Sequence, residues 1–337
     1  GAHRRGDHRD PLGNSYLSAH VQPILDVAGE HVGRMLVRTE DLLTDVAAGH
    51  GEALGRHASA TLAAGGKRLR PVLVFVCAGS AESMDLVRAG AAVELLHMAT
   101  LVHDDVLDRA PMRRGRPTVF WSSGRGAATA TGDFLFSRAF AQLAETGSAP
   151  AVKALSDASS ALARGELMQR DDAFSADVSA ERYFERCTLK TGRLFEAACR
   201  LGAVLGDPGE ESSDALGAFG DRIGLAFQLF DDVLDLSGPP DQTGKSRGTD
   251  LLDGTVTLPV IYAREADPSL RDARPANTTE AEALCDRIAA TGALERARDR
   301  ALEFVAEAKN MLSMIQLADG QRLALTLVAD GVVERYS

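Results

Sequence analysis

Apolar residues along the chain recur at spacings of three and four. Ile24, Leu25, Ala28, Val32, Met35 and Leu36 form one stripe, and Ala89, Val93, Leu96, Leu101 and Val102 another, the period of helices with one buried face. Alternation at two, the mark of a half-buried strand, is nearly absent. VLVFVC at 72–77 is the one segment that resembles a strand, but an Ala-rich chain with only 5% aromatic residues favours helix there too. Thr279 and Glu282 are spaced as a capping box, opening a helix that Gly292 would stop. Breaks fall at GGKRLRP (65–71), APMRRGRPT (110–118), AETGSAP (144–150) and SGPPDQTGKSRGTD (237–250), where Gly, Pro and polar residues cluster. The pattern predicts an all-α protein of about ten or more helices.

Composition narrows this picture. At 337 residues the chain can bury a substantial core in one large domain or two. Hydrophobic residues at 45% and charged ones at 25% are ordinary for a globular protein. The longest apolar run, PVLVFVCAG at 71–79, is far shorter than the roughly 18 residues of a membrane span. GAHRRGDHRD at the start has charges with no apolar stretch behind them, so residues 1–13 are expected to be a flexible tail or a cloning remnant, with the fold beginning at 14. Cys77, Cys187, Cys199 and Cys285 lack CxxC spacing, which predicts buried free thiols in a reducing cytoplasm rather than disulfides or zinc ligands. The net charge of -11 argues against a nucleic acid partner. An anionic substrate would need local cations or metal ions.

The acidic residues are not evenly spread: DDVLD occurs at 104–108 and again at 231–235. On a helix, Asp104 and Asp108 share one face, as do Asp231 and Asp235. Asp105 and Asp232 point about 100° away. The apolar runs VELLHMATLV and IGLAFQLF that precede the two copies indicate partly buried helices rather than solvated acidic faces. Like charges at about 4 Å there repel by roughly 4 kcal/mol at an effective dielectric near 20, so the carboxylates are either partly protonated or neutralised by cations. Carboxylates without His or Cys suit a hard ion, and Mg²⁺ fits best because it keeps places for water and phosphate oxygens. The central Gly of a calcium EF-hand is missing. Matching cations follow: Arg113, Arg114 and Arg116 after the first copy, Lys245 and Arg247 after the second, and Lys67, Arg68 and Arg70 before Pro71. Guanidinium forks and ammonium groups of this kind bind phosphate, and the last cluster sits at a helix start, where an anion is favoured.

Taken together, GGKRLRP, VELLHMATLVHDDVLDRAPMRRGRPT, TGDFLFSRAF, RGELMQ, LKTGRLFEAACRLGA, IGLAFQLFDDVLDLSG and GKSRGTDLLDGTVTLP resemble the trans-isoprenyl diphosphate synthases, or polyprenyl synthetases. The resemblance spans residues 65–263 and implies one isoprenoid synthase domain over 14–337, a helical bundle around a deep central cavity. It implies the reaction as well. An allylic diphosphate ionises, the double bond of isopentenyl diphosphate attacks the carbocation, and loss of a proton leaves a chain five carbons longer. Carried over residue by residue, Asp104 and Asp108 would hold two Mg²⁺ on the allylic diphosphate and Asp231 a third, with Asp105, Asp232 and Asp235 as further ligands or supports. Arg113, Lys190 and Lys245 would complete that diphosphate site. Lys67, Arg70, His97 and Arg114 would bind isopentenyl diphosphate. Thr191, Gln228 and the backbone carbonyl of Lys190 would face the cation. One departure is Thr255, which stands in DGTVTLP where the family often carries Lys.

The resemblance also bears on product length. Ala99, five residues before Asp104, occupies the place where a bulky aromatic limits short-chain members, so a product of about C30 to C50 is implied by family analogy. Phe134, Phe136 and Leu162 are candidates for the cavity floor. A homodimer is expected, as is delivery of a long product to a membrane that the chain itself does not span. The competing readings are a geranylgeranyl-type synthase, a non-catalytic subunit of a heteromeric synthase, and a terpene cyclase, whose second metal motif would depart from DDVLD.

Overall fold

The structure is a computed structural model that describes residues 21–206, 210–238 and 246–334. The helices are α1 (Gln22–Ala28), α2 (Glu30–Ala48), α3 (Glu52–Ala63), α4 (Leu69–Cys77), α5 (Met84–Leu107), α6 (Val119–Ala144), α7 (Ala149–Asp171), α8 (Ala180–Cys187), α9 (Arg193–Gly206), α10 (Glu210–Ser237), α11 (Thr249–Asp253), α12 (Leu258–Ala266), α13 (Thr278–Ala289), α14 (Ala293–Ser313) and α15 (Asp319–Glu334). A π-helical turn, Thr188–Gly192, joins α8 to α9. Among the described residues the sole strand pairing is a two-residue ribbon, Met112–Arg113 with Arg116–Pro117. The all-α reading therefore holds, and VLVFVC lies in helix α4.

Two details differ from the sequence reading. The stripe from Ile24 to Leu36 is carried by two helices, because the chain turns at Gly29, whose φ is 101°. The capping residue of α13 is Asn277 rather than Thr279: its side-chain oxygen accepts from the Glu280 N–H, and Glu280 reaches back to the N–H of Ala276. The box is the same device shifted by two residues. Gly292 does not end this helix but caps the start of α14 with a φ of 77°.

Helix α5 runs through the centre. Ser83 caps it by accepting from the Leu86 N–H, and apolar residues lie buried on all its sides from Leu86 to Val102, as befits a helix with no solvent face. Around it pack α2, α4, α6 and α9, while α9, α14 and α15 pack on α10. Helix α9 thus touches both helices that carry a DDVLD copy. The apolar core is one contiguous cluster from Val21 to Val332. All four cysteines are buried free thiols. Among the described residues no helix is long and apolar enough to cross a membrane.

Close approach of α4 and α9 depends on Gly202, since a Cβ there would stand 2.0 Å from the Val74 carbonyl oxygen. Backbone cannot yield as a flexible side chain can. Replacing Gly by Ala in a helix gains about 1 kcal/mol in propensity, but overpacking a core costs about 1–3 kcal/mol. Gly202→Ala is therefore expected to lower the urea midpoint with an unchanged m-value, and a midpoint at or above that of the unaltered protein would show that α4 can shift freely.

Candidate active site

Helix α5 ends at Leu107, with Asp108 as its cap, and the chain turns at once into the ribbon. Arg114 and Gly115 form its two-residue loop with φ of 50° and 74°, the hairpin turn that requires positive φ at both positions. Gly115 permits it, and the turn fixes Arg113 and Arg114 beside the end of α5. A cavity of about 360 Å³ opens next to it, lined by Asp104 and Asp108 from α5, Arg170 from α7, Lys190 and Thr191 from the π turn, and Gln228 and Asp232 from α10, among others. Both acidic copies meet here.

The members of each copy are not equivalent. Burial pushes the Asp104 carboxyl up to about 6, against the pull of Lys190. Asp108 accepts from Arg170 Nη2 at 3.2 Å. Asp105, 5% exposed, accepts from Arg113 Nε at 2.8 Å, as its offset around the helix anticipates. Across the cavity, Asp232 is 4% exposed and accepts from the Tyr183 hydroxyl at 2.5 Å and from Gln228 Nε2 at 2.8 Å. Burial raises its pKa to about 7, opposed by those two donors. Asp235 accepts from the Asp250 N–H at 3.2 Å and so anchors α11. Asp231 lies close enough to Arg70 to favour its charge.

Cations are already engaged at the rim. Lys190 donates to Glu166 at 2.7 Å and to Gln169 at 3.2 Å, while Arg170 Nε contacts Glu166 at 2.8 Å. Burial opposes the Lys190 charge, but Asp104, Glu166 and Asp108 outweigh it and hold the pKa above its ordinary value. The Thr191 hydroxyl donates to Gln228 Oε1 at 2.8 Å. The π turn that presents Lys190 and Thr191 is wedged between two glycines. A Cβ on Gly165 would stand 2.8 Å from the Lys190 nitrogen, and one on Gly224 would stand 2.8 Å from the Gly192 Cα. Such π segments frequently mark functional sites.

A second basic flank lies toward α4. Arg68 caps α4 in the left-handed region with a φ of 52°. It is buried between Glu40 and Glu94, bonding the latter at 2.8 Å. The clash of cations with the helix start is met by these two carboxylates. Arg70 stacks over the Phe195 ring at 4.6 Å, and burial, reinforced by Arg114, lowers its pKa to about 10. His97 and Arg114 line a smaller cavity of about 60 Å³ with Glu94 and Arg113. Burial, then Arg70, Arg114, Arg113 and Arg68, hold the His97 imidazole well below its usual range, so it is neutral. Lys67 is half-buried in the loop before α4.

Other candidates are more scattered. Ala99 is fully buried on α5. Phe134 packs edge-on against His50 at 5.1 Å, Leu162 is half-buried against the core, and Phe136 is 37% exposed with its ring on Phe140. None of these four lines the larger cavity. Lys245 lies outside the described residues. Thr255 does line the cavity, and its neighbour Val256 accepts from the buried Arg186, which places a guanidinium beside the expected Lys position.

Sequence reasoning missed Glu166, Arg170, Tyr183, Arg186, Asp250 and Asp253. Glu166 and Arg170 are spaced four apart in RGELMQR, a signal that was legible. Tyr183 belongs to no motif.

The donor set suits a hard cation. Asp104 is a half-buried carboxylate that no hydrogen bond or ion pair reaches among the described residues. Among those residues no three acidic, His or Cys side chains gather closely enough to hold an ion alone. An ion on Asp104 and Asp108 would share its remaining ligands with water and phosphate oxygens.

Comparison with known proteins agrees with this geometry. The family model described as Polyprenyl synthetase matches residues 52–291. The chain is 37% identical over 277 residues, 80% of its length and 86% of the relative's, to heptaprenyl diphosphate synthase component 2 of Geobacillus stearothermophilus. It is 34% identical over 281 residues, 81% of its length and 86% of the relative's, to geranylgeranyl diphosphate synthase of Methanosarcina mazei. A crystal structure of a Caulobacter crescentus polyprenyl synthase, complexed with calcium and isoprenyl diphosphate, superposes with a TM-score of 0.86 at 33% identity over 93% of this chain and 98% of that one. With the family model covering most of its length and both acidic copies opening on one cavity, this chain belongs to the polyprenyl synthetase family.

Proposed function

We propose that the chain is a trans-polyprenyl diphosphate synthase that adds isopentenyl diphosphate to an allylic diphosphate such as farnesyl or geranylgeranyl diphosphate. The observation that carries this reading is the convergence of Asp104, Asp108, Lys190, Thr191 and Gln228 on one cavity, with Arg70, His97 and Arg114 clustered on the flank beside it. Residues 14–337 act as one synthase domain.

The chemistry needs charge stabilisation rather than a nucleophile. Bound Mg²⁺, three ions in this reading, would neutralise the charge that develops on the departing diphosphate. Asp104, Asp108 and Asp231 would hold them, with Asp105, Asp232 and Asp235 behind. Arg113, Lys190 and Lys245 bind the allylic diphosphate, and Arg170 joins them when a diphosphate displaces it from Asp108. Lys67, Arg70, His97 and Arg114 bind isopentenyl diphosphate. Thr191, Gln228 and the Lys190 carbonyl offer partial negative charge to the cation, an arrangement fixed before the reaction. The released diphosphate takes the final proton, and closure around the substrates keeps out water that would quench the cation.

A product of about C30 to C50 agrees with the small residue at Ala99 and with the heptaprenyl relative. The chain works in the cytoplasm as a homodimer, and its product passes to a membrane. The word component in the name of that relative favours a second reading, in which the chain needs a different partner subunit. Incubation of the purified chain alone with farnesyl diphosphate, labelled isopentenyl diphosphate and Mg²⁺ separates the two. A product ladder ending at one length is expected, whereas no incorporation would favour the heteromer.

Three outcomes are expected from variants. Asp104→Asn lowers kcat/KM by roughly 10² to 10³, the scale of losing one fixed electrostatic contact to developing charge, in steady-state assays. Ala99→Phe or Ala99→Tyr shortens the chromatographed product with turnover retained; an unchanged length in a folded, active variant removes Ala99 as the gate. The third concerns pH. Unfolded His titrates near about 6.5, and folded His97 titrates lower, so between the two the unfolded chain binds more protons. His97 contributes to a stability that is present above about 6.5 and declines as pH falls toward the folded value. Urea unfolding at several pH values should show this decline, less steep in His97→Gln and relieved by inorganic diphosphate. A slope identical in the variant would remove His97 as its source.

A further inference from the structure

From a chain of three hydrogen bonds beneath the reacting region we infer that Tyr183 is a positioning residue, which orients the dipoles that meet the allylic cation. The inference rests on the reaction proposed above. The Tyr183 hydroxyl donates to Asp232 Oδ2 at 2.5 Å, Gln228 Nε2 donates to Asp232 Oδ1 at 2.8 Å, and the Thr191 hydroxyl donates to Gln228 Oε1 at 2.8 Å. Each link fixes the next. With the phenol bonded to Oδ2, Asp232 presents Oδ1 to Gln228 as an acceptor, so the amide of Gln228 turns its NH₂ to Asp232 and its oxygen to Thr191. An amide oxygen only accepts, so the Thr191 hydroxyl must spend its proton there. What remains for the cavity at Thr191 is a pair of lone pairs and no O–H. A cation is stabilised by that orientation and would be repelled by the reverse.

Tyr183 is the fixed end of the series. It is 1% exposed, on α8 just ahead of the π turn that carries Thr191. Burial and the charge of Asp232 keep its phenol protonated, since both push its pKa far above the ordinary value. The guanidinium of Arg186 stands 5.5 Å from the ring centre, and Arg186 is itself tied to Asp172 at 3.0 Å. Without the phenol hydroxyl, Asp232 Oδ2 loses its donor and the carboxylate is free to rotate. Once that carboxyl group rotates away from Gln228 Nε2, the amide loses the acceptor that fixed it, and the flipped orientation it can then adopt turns an O–H of Thr191 toward the cation.

The test is a double-mutant cycle on the full-length protein with farnesyl diphosphate, isopentenyl diphosphate and Mg²⁺. Tyr183→Phe is expected to lower kcat about tenfold while both KM values stay within about twofold, a loss confined to the charged transition state. A larger share of the allylic substrate should leave as the alcohol, because a poorly held cation is captured by water. Thr191→Val removes the last dipole, so adding Tyr183→Phe to it should change kcat by less than about twofold. Multiplicative losses in the double variant, or a Tyr183→Phe enzyme with unaltered kcat and alcohol yield, would overturn the inference. If Tyr183→Phe does not fold, Gln228→Met interrupts the same series and is held to the same non-additivity with Thr191→Val. The unaltered protein controls for the underlying reading: its failure to incorporate isopentenyl diphosphate counts against the proposed reaction, whereas normal incorporation with additive variants counts against Tyr183 alone.

Discussion

Taking a carboxylate out of water is the constraint around which this site is arranged. Two copies of DDVLD bring six aspartates toward the ends of their helices, and the two nearly sealed ones, Asp105 and Asp232, would each cost several kcal/mol if left charged without a partner. The fold answers residue by residue. Asp105 has Arg113, Asp108 has Arg170, Asp232 has Tyr183 and Gln228, and Asp235 has the backbone of α11. Asp104 is the exception, held by the more distant charge of Lys190 and pushed up to about 6 by burial. The carboxylate with the weakest answer is the one best prepared to take a cation.

The basic flank has the opposite arrangement. Arg68 is neutralised by Glu40 and Glu94, and with that much charge cancelled the helix start of α4 is stable without a ligand. Arg70, Arg114 and the neutral His97 gather beside it, with the carboxylates of Glu94 and Asp231 near Arg70. In the proposed reaction a diphosphate entering there would meet several cationic side chains in a partly buried setting, where electrostatic attraction is less screened. Such clustering would let a protein of net charge -11 accept anionic substrates.

Much of this was legible in the chain. Helical spacing alone placed Asp104 with Asp108 on one face and turned Asp105 away, and the structure agrees at each position. The breaks at GGKRLRP and APMRRGRPT also followed from Gly and Pro, though not the two-residue ribbon that forms within the second. What escaped was whatever depends on contacts between distant segments. Nothing in TLKTG announces a π turn, because the extra residue is accommodated by glycines on α7 and α10, at Gly165 and Gly224. Tyr183 lies 49 positions from Asp232, and no periodicity connects them. The shift of the α13 cap from Thr279 to Asn277 has a local cause: both can cap, and the reciprocal reach of Glu280 decides between them.

The two copies of DDVLD are identical in sequence but not in surroundings, and the difference lies in the partners of their second aspartates. Asp105 and Asp232 occupy the same place in the motif and are both nearly sealed from solvent. Yet one is held by a guanidinium at the rim and the other by a phenol and an amide below the reacting region. A charged donor at the rim leaves the Asp105–Arg113 pair close to neutral and ties the ribbon to α5, which keeps the basic loop near the diphosphate. The donors below, Tyr183 and Gln228, are neutral and bring no counter-charge of their own to Asp232. Gln228 links Asp232 to Thr191 as an oriented dipole, on the side where the proposed reaction would place the carbocation. A helix repeats the spacing of its carboxylates wherever DDVLD occurs, but the partner of the buried one differs between the copies: in the proposed reaction Asp105 would steady the basic loop by the diphosphate and Asp232 the dipoles that face the cation.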